Sequence, residues 1–262
     1  MDGLLITILI VTGFLVYKMI SSSRKQEGYK RWKAAGSGDT ANEETAGNKW
    51  KHGAWLRHAL GVTTPKARTY PVFDEEAVVW CAGLLGVEAV RLKEILQDVS
   101  SHYREFWIRK RKGGYRMISA PDKELKSIQD TIYHRILLPV NVHPVATGFR
   151  RQHSIVDNVR PHLGKRCVLK TDIHDFFLSI RSPRVKQTFE NIGYPKNISK
   201  VLGELCCRRR HLPQGASTSP ALSNIIAYEM DRKLAAMAEE FGLAYTRYAD
   251  DLTFSGDVFP KE

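Results

Sequence analysis

Tyr245-Thr-Arg-Tyr-Ala-Asp-Asp-Leu-Thr-Phe254 joins residues that favour extended backbone to two successive aspartates placed where the chain should turn. It reads as a hairpin with Asp250 and Asp251 at its tip. Adjacent carboxylates repel, so a fold that holds them together usually supplies a cation. The plain alternative is an Asp-rich turn, because Asp is a common turn former.

A second acidic site lies upstream in Val168-Leu-Lys-Thr-Asp-Ile-His-Asp-Phe-Phe177. Here Asp172 stands near the carboxyl end of an apolar stretch, residues 168–173, that reads as a buried strand. If that strand lies beside the hairpin, Asp172, Asp250 and Asp251 converge, and three oxygen donors suit Mg²⁺. Two such ions about 3.5 to 4 Å apart can activate an attacking hydroxyl and stabilise a leaving pyrophosphate. Between the acidic sites runs Leu212-Pro-Gln-Gly-Ala-Ser-Thr-Ser-Pro220. Gly215 there would permit close approach of a substrate, and Gln214 and the hydroxyls offer uncharged hydrogen bonds. A polar loop that only caps the next helix is the other reading.

Working outward, a long helix should begin with Ser219 as N-cap and Pro220 at the first helical position, bury Leu222, Ile225, Ile226, Met230 and Leu234, and stop at Gly242. Residues 183–207 read as one or two helices, and residues 125–138 as another. Phe106-Trp-Ile-Arg-Lys-Arg-Lys-Gly-Gly-Tyr-Arg-Met-Ile-Ser119 places two β-prone stretches around a basic turn, which reads as a hairpin. Before it, Asp74 can cap a helix with Glu75 and Glu76 in its first turn and Val78, Val79, Ala82, Leu85, Leu92, Ile95 and Leu96 at helical spacing.

The chain has 262 residues, 43% hydrophobic and 26% charged, enough for one sizeable core or two modest ones and unlike a disordered chain. Its formal net charge of +12 favours a polyanionic partner, nucleic acid or an acidic membrane surface. Cys81, Cys167, Cys206 and Cys207 have neither metal-ligand spacing nor a disulfide pattern, which points to a reducing compartment. Residues 4–20 are almost wholly apolar, at the short end of the roughly 17 to 25 residues needed to span a bilayer. Arg24, Lys25, Lys30, Arg31 and Lys33 follow, so a transmembrane helix there would keep the bulk of the chain cytoplasmic, anchored to the inner membrane. A cleaved signal and a buried helix are the alternatives. Residues 21–70 read as a basic juxtamembrane segment and flexible linker, with a short helix over 50–60.

The Asp172-to-Phe177 block, Leu-Pro-Gln-Gly followed by Ser-Pro, and Tyr248-Ala-Asp-Asp251 stand in the order of the three central motifs of reverse transcriptases, and the resemblance spans residues 103–256. Gln214-Gly-Ala-Ser-Thr-Ser-Pro-Ala-Leu-Ser-Asn224 is closer to the retron branch than to the Pro-Gln-Gly-Gly form of group II intron proteins. Asn158-Val-Arg-Pro-His162 resembles the Asn-Ala-x-x-His signature of retron enzymes, with Val159 in place of its alanine. Gly114-Tyr-Arg-Met-Ile-Ser-Ala-Pro121 and Leu125-Lys-Ser-Ile-Gln129 resemble fingers motifs.

The resemblance implies an α+β fold, the fingers (71–150) and palm (151–262) of a right-hand polymerase, with an antiparallel palm sheet backed by helices and the 1–20 anchor before it. It implies an RNA-directed DNA polymerase using two Mg²⁺ ions, or Mn²⁺, and deoxynucleoside triphosphates. A structured noncoding RNA would serve as template and primer, with an effector protein and a role in defence against phage. By carry-over, Asp172 and Asp250 bridge the metals and Asp251 helps place the primer-side ion. Arg116 contacts the incoming triphosphate, or else pairs with a surface acid. Lys110, Arg111 and Lys112 form a patch for template RNA or phosphate. Phe177 crowds the sugar C2′ and Phe176, facing the other way on a strand, fills the core. Asn158 and His162 either contact the cognate RNA or fix the loop before the palm strand. Cys206 and Cys207 pack beside Arg208, Arg209 and Arg210. In this superfamily further palm motifs and a thumb follow, so the sequence suggests a fragment, a truncated product or one part of a split enzyme, with an unpaired sheet edge. A membrane-anchored RNA-binding module without catalysis and a group II intron-type enzyme are the competing readings.

Overall fold

The computed structural model describes residues 72–110 and 113–258. The expected anchor over 4–20, the linker over 21–70, the helix over 50–60, and Arg111 and Lys112 lie outside the described residues. Among the described residues no helix is long and apolar enough to cross a membrane.

Helix α1 (Glu75–Leu85) starts as its sequence prescribes: the Asp74 carboxylate accepts from the Ala77 N–H at 2.9 Å, and Gly86 ends the helix in the left-handed region. Cys81 joins Val78, Ala82 and Leu85 in the core, while Val79, expected inside, points to solvent. Helix α2 (Ala89–Gln97) buries Leu92, Ile95 and Leu96. Strands β1 (Tyr103–Arg109) and β2 (Tyr115–Pro121) form the expected hairpin, in register from Tyr103 opposite Pro121 to Arg109 opposite Tyr115. Helix α3 (Lys123–Ile132), capped by Asp122, gives way to a π-helical turn over Tyr133–Leu137, so the helix expected over 125–138 changes its winding halfway.

Two short helices, α4 (Ile155–Val159) and α5 (Phe176–Ser179), flank strand β3 (Cys167–Asp172); α6 (Ser182–Ile192) and α7 (Lys196–Leu205) then pack together. One continuous core runs from α1 through α3, α6 and α7 to Leu222, so the boundary drawn at residue 150 does not separate two cores. Buried Gln129 ties the halves: its amide donates to the Tyr103 hydroxyl at 2.7 Å and to the Leu205 carbonyl at 2.8 Å. Each apolar side chain fully buried there contributes roughly 1.5–3 kcal/mol.

The helix expected to run from Ser219 to Gly242 is two, α8 (Ser219–Ile226) and α9 (Tyr228–Glu240), and Thr218 rather than Ser219 holds the cap position. The segment serves two cores, and the change between them falls after Met230. Leu222 packs into the main one, whereas Leu234 and Ala238 join Tyr245 and Phe254 in a smaller one. Gly242, with φ 65°, ends α9 as expected.

Strands β4 (Ala244–Tyr248) and β5 (Asp251–Gly256) complete a three-stranded antiparallel sheet of order β3-β5-β4. Alternation puts Tyr245 and Arg247 on the face covered by α9 and Thr246 on the face covered by α4 and the turn after it. The far side of β4 is bonded to residues 145–147: Arg247 N–H donates to the Val145 carbonyl at 2.8 Å, and Thr147 N–H to the Arg247 carbonyl at 2.9 Å. Strand β3 departs from the buried strand its apolar residues suggest. Val168 and Leu169 are 58% and 49% exposed, because β3 is the edge strand and pairs only with β5 among the described residues.

Candidate active site

Antiparallel pairing places Asp172, the last residue of β3, directly opposite Asp251, the first of β5, and the Ile173 N–H donates to the Asp250 carbonyl at 2.7 Å. Residues far apart in the chain thus meet because one register joins two strand ends. Asp250 itself occupies the turn between β4 and β5, preceded by Ala249 in the left-handed region with φ 59°. Burial, with Asp251 and Asp172 close by, holds the Asp250 carboxyl above the usual range, and Arg116 opposes the rise.

These groups face a cleft of about 720 Å³ whose walls include Asp172, Asp250, Arg116, Lys110, Phe177 and Gln214. Asp251 is not on its wall. Its carboxylate sits 3.1 Å from the ammonium of Lys170, its diagonal neighbour on the same sheet face. Among the described residues no group of three or more His, Cys, Asp or Glu side chains is arranged to hold a metal, so three joint ligands are not what the structure presents. The donor chemistry nonetheless fits a hard divalent cation. Asp172 and Asp250 put carboxylates against one cleft, and Mg²⁺ commonly takes one or two carboxylates and completes its shell with water and substrate phosphate.

Arg116 reaches the cleft from β2, and Lys110 from the start of the hairpin turn. Phe176 and Phe177 lie on the helical turn α5 rather than on a strand. Both line the cleft. Phe176 is buried in the main core, and Phe177 stands at the wall of the cleft against the Phe149 ring, centroids 5.9 Å apart. Gln214 lines the cleft and its carbonyl accepts from the Ser119 N–H at 2.8 Å, which fastens the loop to β2. Gly215, expected to make room for substrate, serves that junction instead. With φ 128°, a Cβ there would lie 2.8 Å from the Ser119 carbonyl oxygen.

Asn158 and His162 are buried, which corrects their assignment as RNA contacts and favours the loop-fixing role. The Asn158 side-chain oxygen accepts from the Thr147 hydroxyl at 2.9 Å. His162 bridges the sheet, Nδ1 to the Ser255 hydroxyl at 2.6 Å and Nε2 to that of Thr246 at 2.8 Å. The Thr246 hydroxyl gives its proton to the Asn158 carbonyl at 3.3 Å, so the hydrogen-bond network assigns the imidazole proton to Nε2. Burial pushes the His162 pKa down.

A second group escaped the sequence reading. The Arg247 guanidinium is fully buried on β4 beneath the turn and fork-paired with Asp231 of α9, Nη2 to Oδ2 at 2.7 Å and Nε to Oδ1 at 2.8 Å. Its Nη1 donates to the Ala249 carbonyl at 2.9 Å and to the Asn224 side-chain oxygen at 3.0 Å. Asn224 in turn donates to the Gly148 carbonyl at 2.9 Å. The available signal was alternation, which puts Arg247 on the same strand face as the core residue Tyr245.

Residues 108–258 match the family model described as reverse transcriptase (RNA-dependent DNA polymerase). The retron Ec86 reverse transcriptase of Escherichia coli is 37% identical over 179 residues, covering 68% of this chain and 55% of that protein. The retron Mx65 reverse transcriptase of Myxococcus xanthus is 39% identical over 174 residues, covering 60% and 41%. The retron Mx162 enzyme of the same organism is 30% identical over 289 residues, covering 94% and 59%. The chain spans about half the length of these curated relatives.

Proposed function

The chain belongs to the reverse transcriptase family, of the retron type, and from that premise we propose that it forms the catalytic cleft of an RNA-directed DNA polymerase. The observation that carries the reading is the strand register that sets Asp172 beside the turn of Asp250, with both side chains on one cleft and Arg116 facing them. Asp172 and Asp250 would hold divalent cations, with Asp251 in a supporting place beside Lys170. Bound there, such ions supply activation of the attacking hydroxyl and charge neutralisation on the leaving pyrophosphate.

The chain's own residues do the rest. Arg116 presents a planar fork suited to triphosphate oxygens. Lys110 adds positive charge at the cleft mouth, and Arg111 and Lys112 extend the same basic run in the sequence toward template RNA. Phe177 sets a flat ring at the wall, where it would collide with a ribose 2′-hydroxyl and admit a deoxyribose. From the retron-type motifs over Gln214–Asn224 and Asn158–His162 we further propose a structured noncoding RNA as template and primer, and a place in phage defence beside an effector protein. The apolar segment at 4–20, with its flanking cations, would hold this region at the cytoplasmic face of the inner membrane.

The test is incorporation of a single deoxynucleotide onto a primed RNA by the full chain, with and without Mg²⁺. The expected result is Mg²⁺-dependent extension that Asp250→Asn abolishes. No extension by the wild type, or equal extension by the variant, would overturn the reading and favour a membrane-anchored RNA-binding module or one part of a split enzyme.

A further inference from the structure

Phe149 has three properties that are hard to reconcile with an incidental loop residue. Its φ is 60°, a left-handed backbone that a bulky L side chain rarely adopts. Its ring is 41% exposed instead of tucked into the core beside it. And that ring lies 5.9 Å, centroid to centroid, from Phe177, whose other neighbour is the buried Phe176 at 5.6 Å.

The backbone leading to Phe149 is fixed by β4, by the turn that carries Asp250 and by α8. A Cβ on Gly148 would lie 2.5 Å from the Ala249 nitrogen, so the loop is pressed against the turn of Asp250. The Gly148 carbonyl is bonded to buried Asn224, and Thr147 N–H to the Arg247 carbonyl. The loop therefore cannot shift without moving the turn, and its conformation at Phe149 is imposed by those contacts. A ring held this way limits where the Phe177 ring can go.

We propose that Phe149 is a positioning residue for sugar selection, its ring bracing that of Phe177 in addition to Phe176, so that a 2′-hydroxyl meets a ring that cannot swing aside. This rests on the polymerase reading above. Removing Phe149 would leave Phe177 in place but free to retreat, so discrimination between deoxyribonucleotide and ribonucleotide would fall more than affinity for the deoxyribonucleotide itself.

The experiment is the ratio of dGTP to GTP affinity of the full chain, by calorimetry with Ca²⁺ to prevent turnover. The wild type should prefer dGTP. Phe149→Ala should lose about tenfold of that preference, the scale of an altered apolar pocket wall, while Phe149→Tyr retains it. Phe149→Leu should fall between and decides the matter if the alanine variant does not fold. Phe177→Ala should lose the preference altogether, and Phe149→Ala added to it should change nothing further, because one acts through the other. A wild-type ratio in Phe149→Ala or Phe149→Leu, or losses that add in the double variant, would overturn the proposal. A wild type binding both nucleotides equally would overturn it while sparing the polymerase reading, and a wild type binding neither would sink both.

Discussion

Behind the turn that carries Asp250, each guanidinium nitrogen of Arg247 has a partner, and the charge is matched by Asp231 in a site closed to solvent. In front of the same turn, Asp172 and Asp250 line one open cleft, where burial and the charges of Asp251 and Asp172 raise the Asp250 carboxyl and Arg116 opposes the rise. The closed side pairs its charge inside the protein, whereas the open side gathers three carboxylates, of which Asp251 is paired with Lys170. The buried pair behind the turn therefore holds the backbone that carries the carboxylates in front of it. A carboxylate cluster that repels itself persists only if the backbone beneath it cannot relax, and the Arg247 bond to the Ala249 carbonyl reaches the residue just before Asp250.

The largest expected effect is on the open side. Asp250→Asn should reduce deoxynucleotide incorporation by about 10³-fold, the upper range for removing one preorganised charge-stabilising group, while leaving Tm unchanged or raised. The sign follows from the raised carboxyl pKa. In the apo protein the ionised form costs stability once the pH rises through the unfolded value near 3.8, so the gain in the variant should be present at neutral pH and vanish in acid. A thermal scan showing a large fall in Tm would erase the contrast between the two sides.

Next in size is the closed side. Asp231→Leu leaves a buried guanidinium uncompensated, which costs about 3–5 kcal/mol and lowers Tm by roughly 6–20 °C for a domain of this size. The double variant Asp231→Leu with Arg247→Met should recover much of that stability, since an apolar pair of similar volume often replaces a buried ion pair. It should not recover incorporation, because the bond to the Ala249 carbonyl is still missing. Recovery of both would show that the pair serves stability alone.

A smaller effect separates contacts within the protein from contacts to substrate. Gly215→Ala forces a methyl group against the Ser119 carbonyl and strains φ, costing about 1–3 kcal/mol in urea unfolding. Unchanged stability would return the glycine to a substrate role.

The smallest is a pH slope. The folded pKa of His162 lies below its unfolded value near 6.5, so the unfolded chain takes up the proton first and stability is lost as pH falls through that value toward the folded one. His162→Gln should flatten the slope of unfolding free energy against pH just below the unfolded value near 6.5; the same slope in variant and wild type would disconnect His162 from it.

Much of this molecule is legible locally. The Asp74 cap, the hairpin around Gly113 and Gly114, the stop at Gly242 and the motif order around Asp172, Gln214 and Asp250 depend on neighbouring residues, and they appear in the structure where the sequence puts them. Other readings failed for one shared reason. Val168 and Leu169 look like core residues because they are apolar, yet exposure on an edge strand depends on which strands come to lie beside it. The single helix from Ser219 looks continuous, yet it is interrupted at Ala227, and its later residues Leu234 and Ala238 leave the main core for the smaller one.

Periodicity and turn chemistry, acting over a few residues, place most of the elements, the order of the acidic and polar motifs and the residue types the chemistry needs, but not the helical turn at Phe176 or the interruption at Ala227. Long-range contacts set Asp251 on Lys170 instead of the cleft, put Asn158 and His162 in the service of the sheet, and bring Arg247 to Asp231 beneath the turn. Each of these depends on which distant side chain arrives alongside, and that is set by strand register and helix packing rather than by anything within reach along the chain.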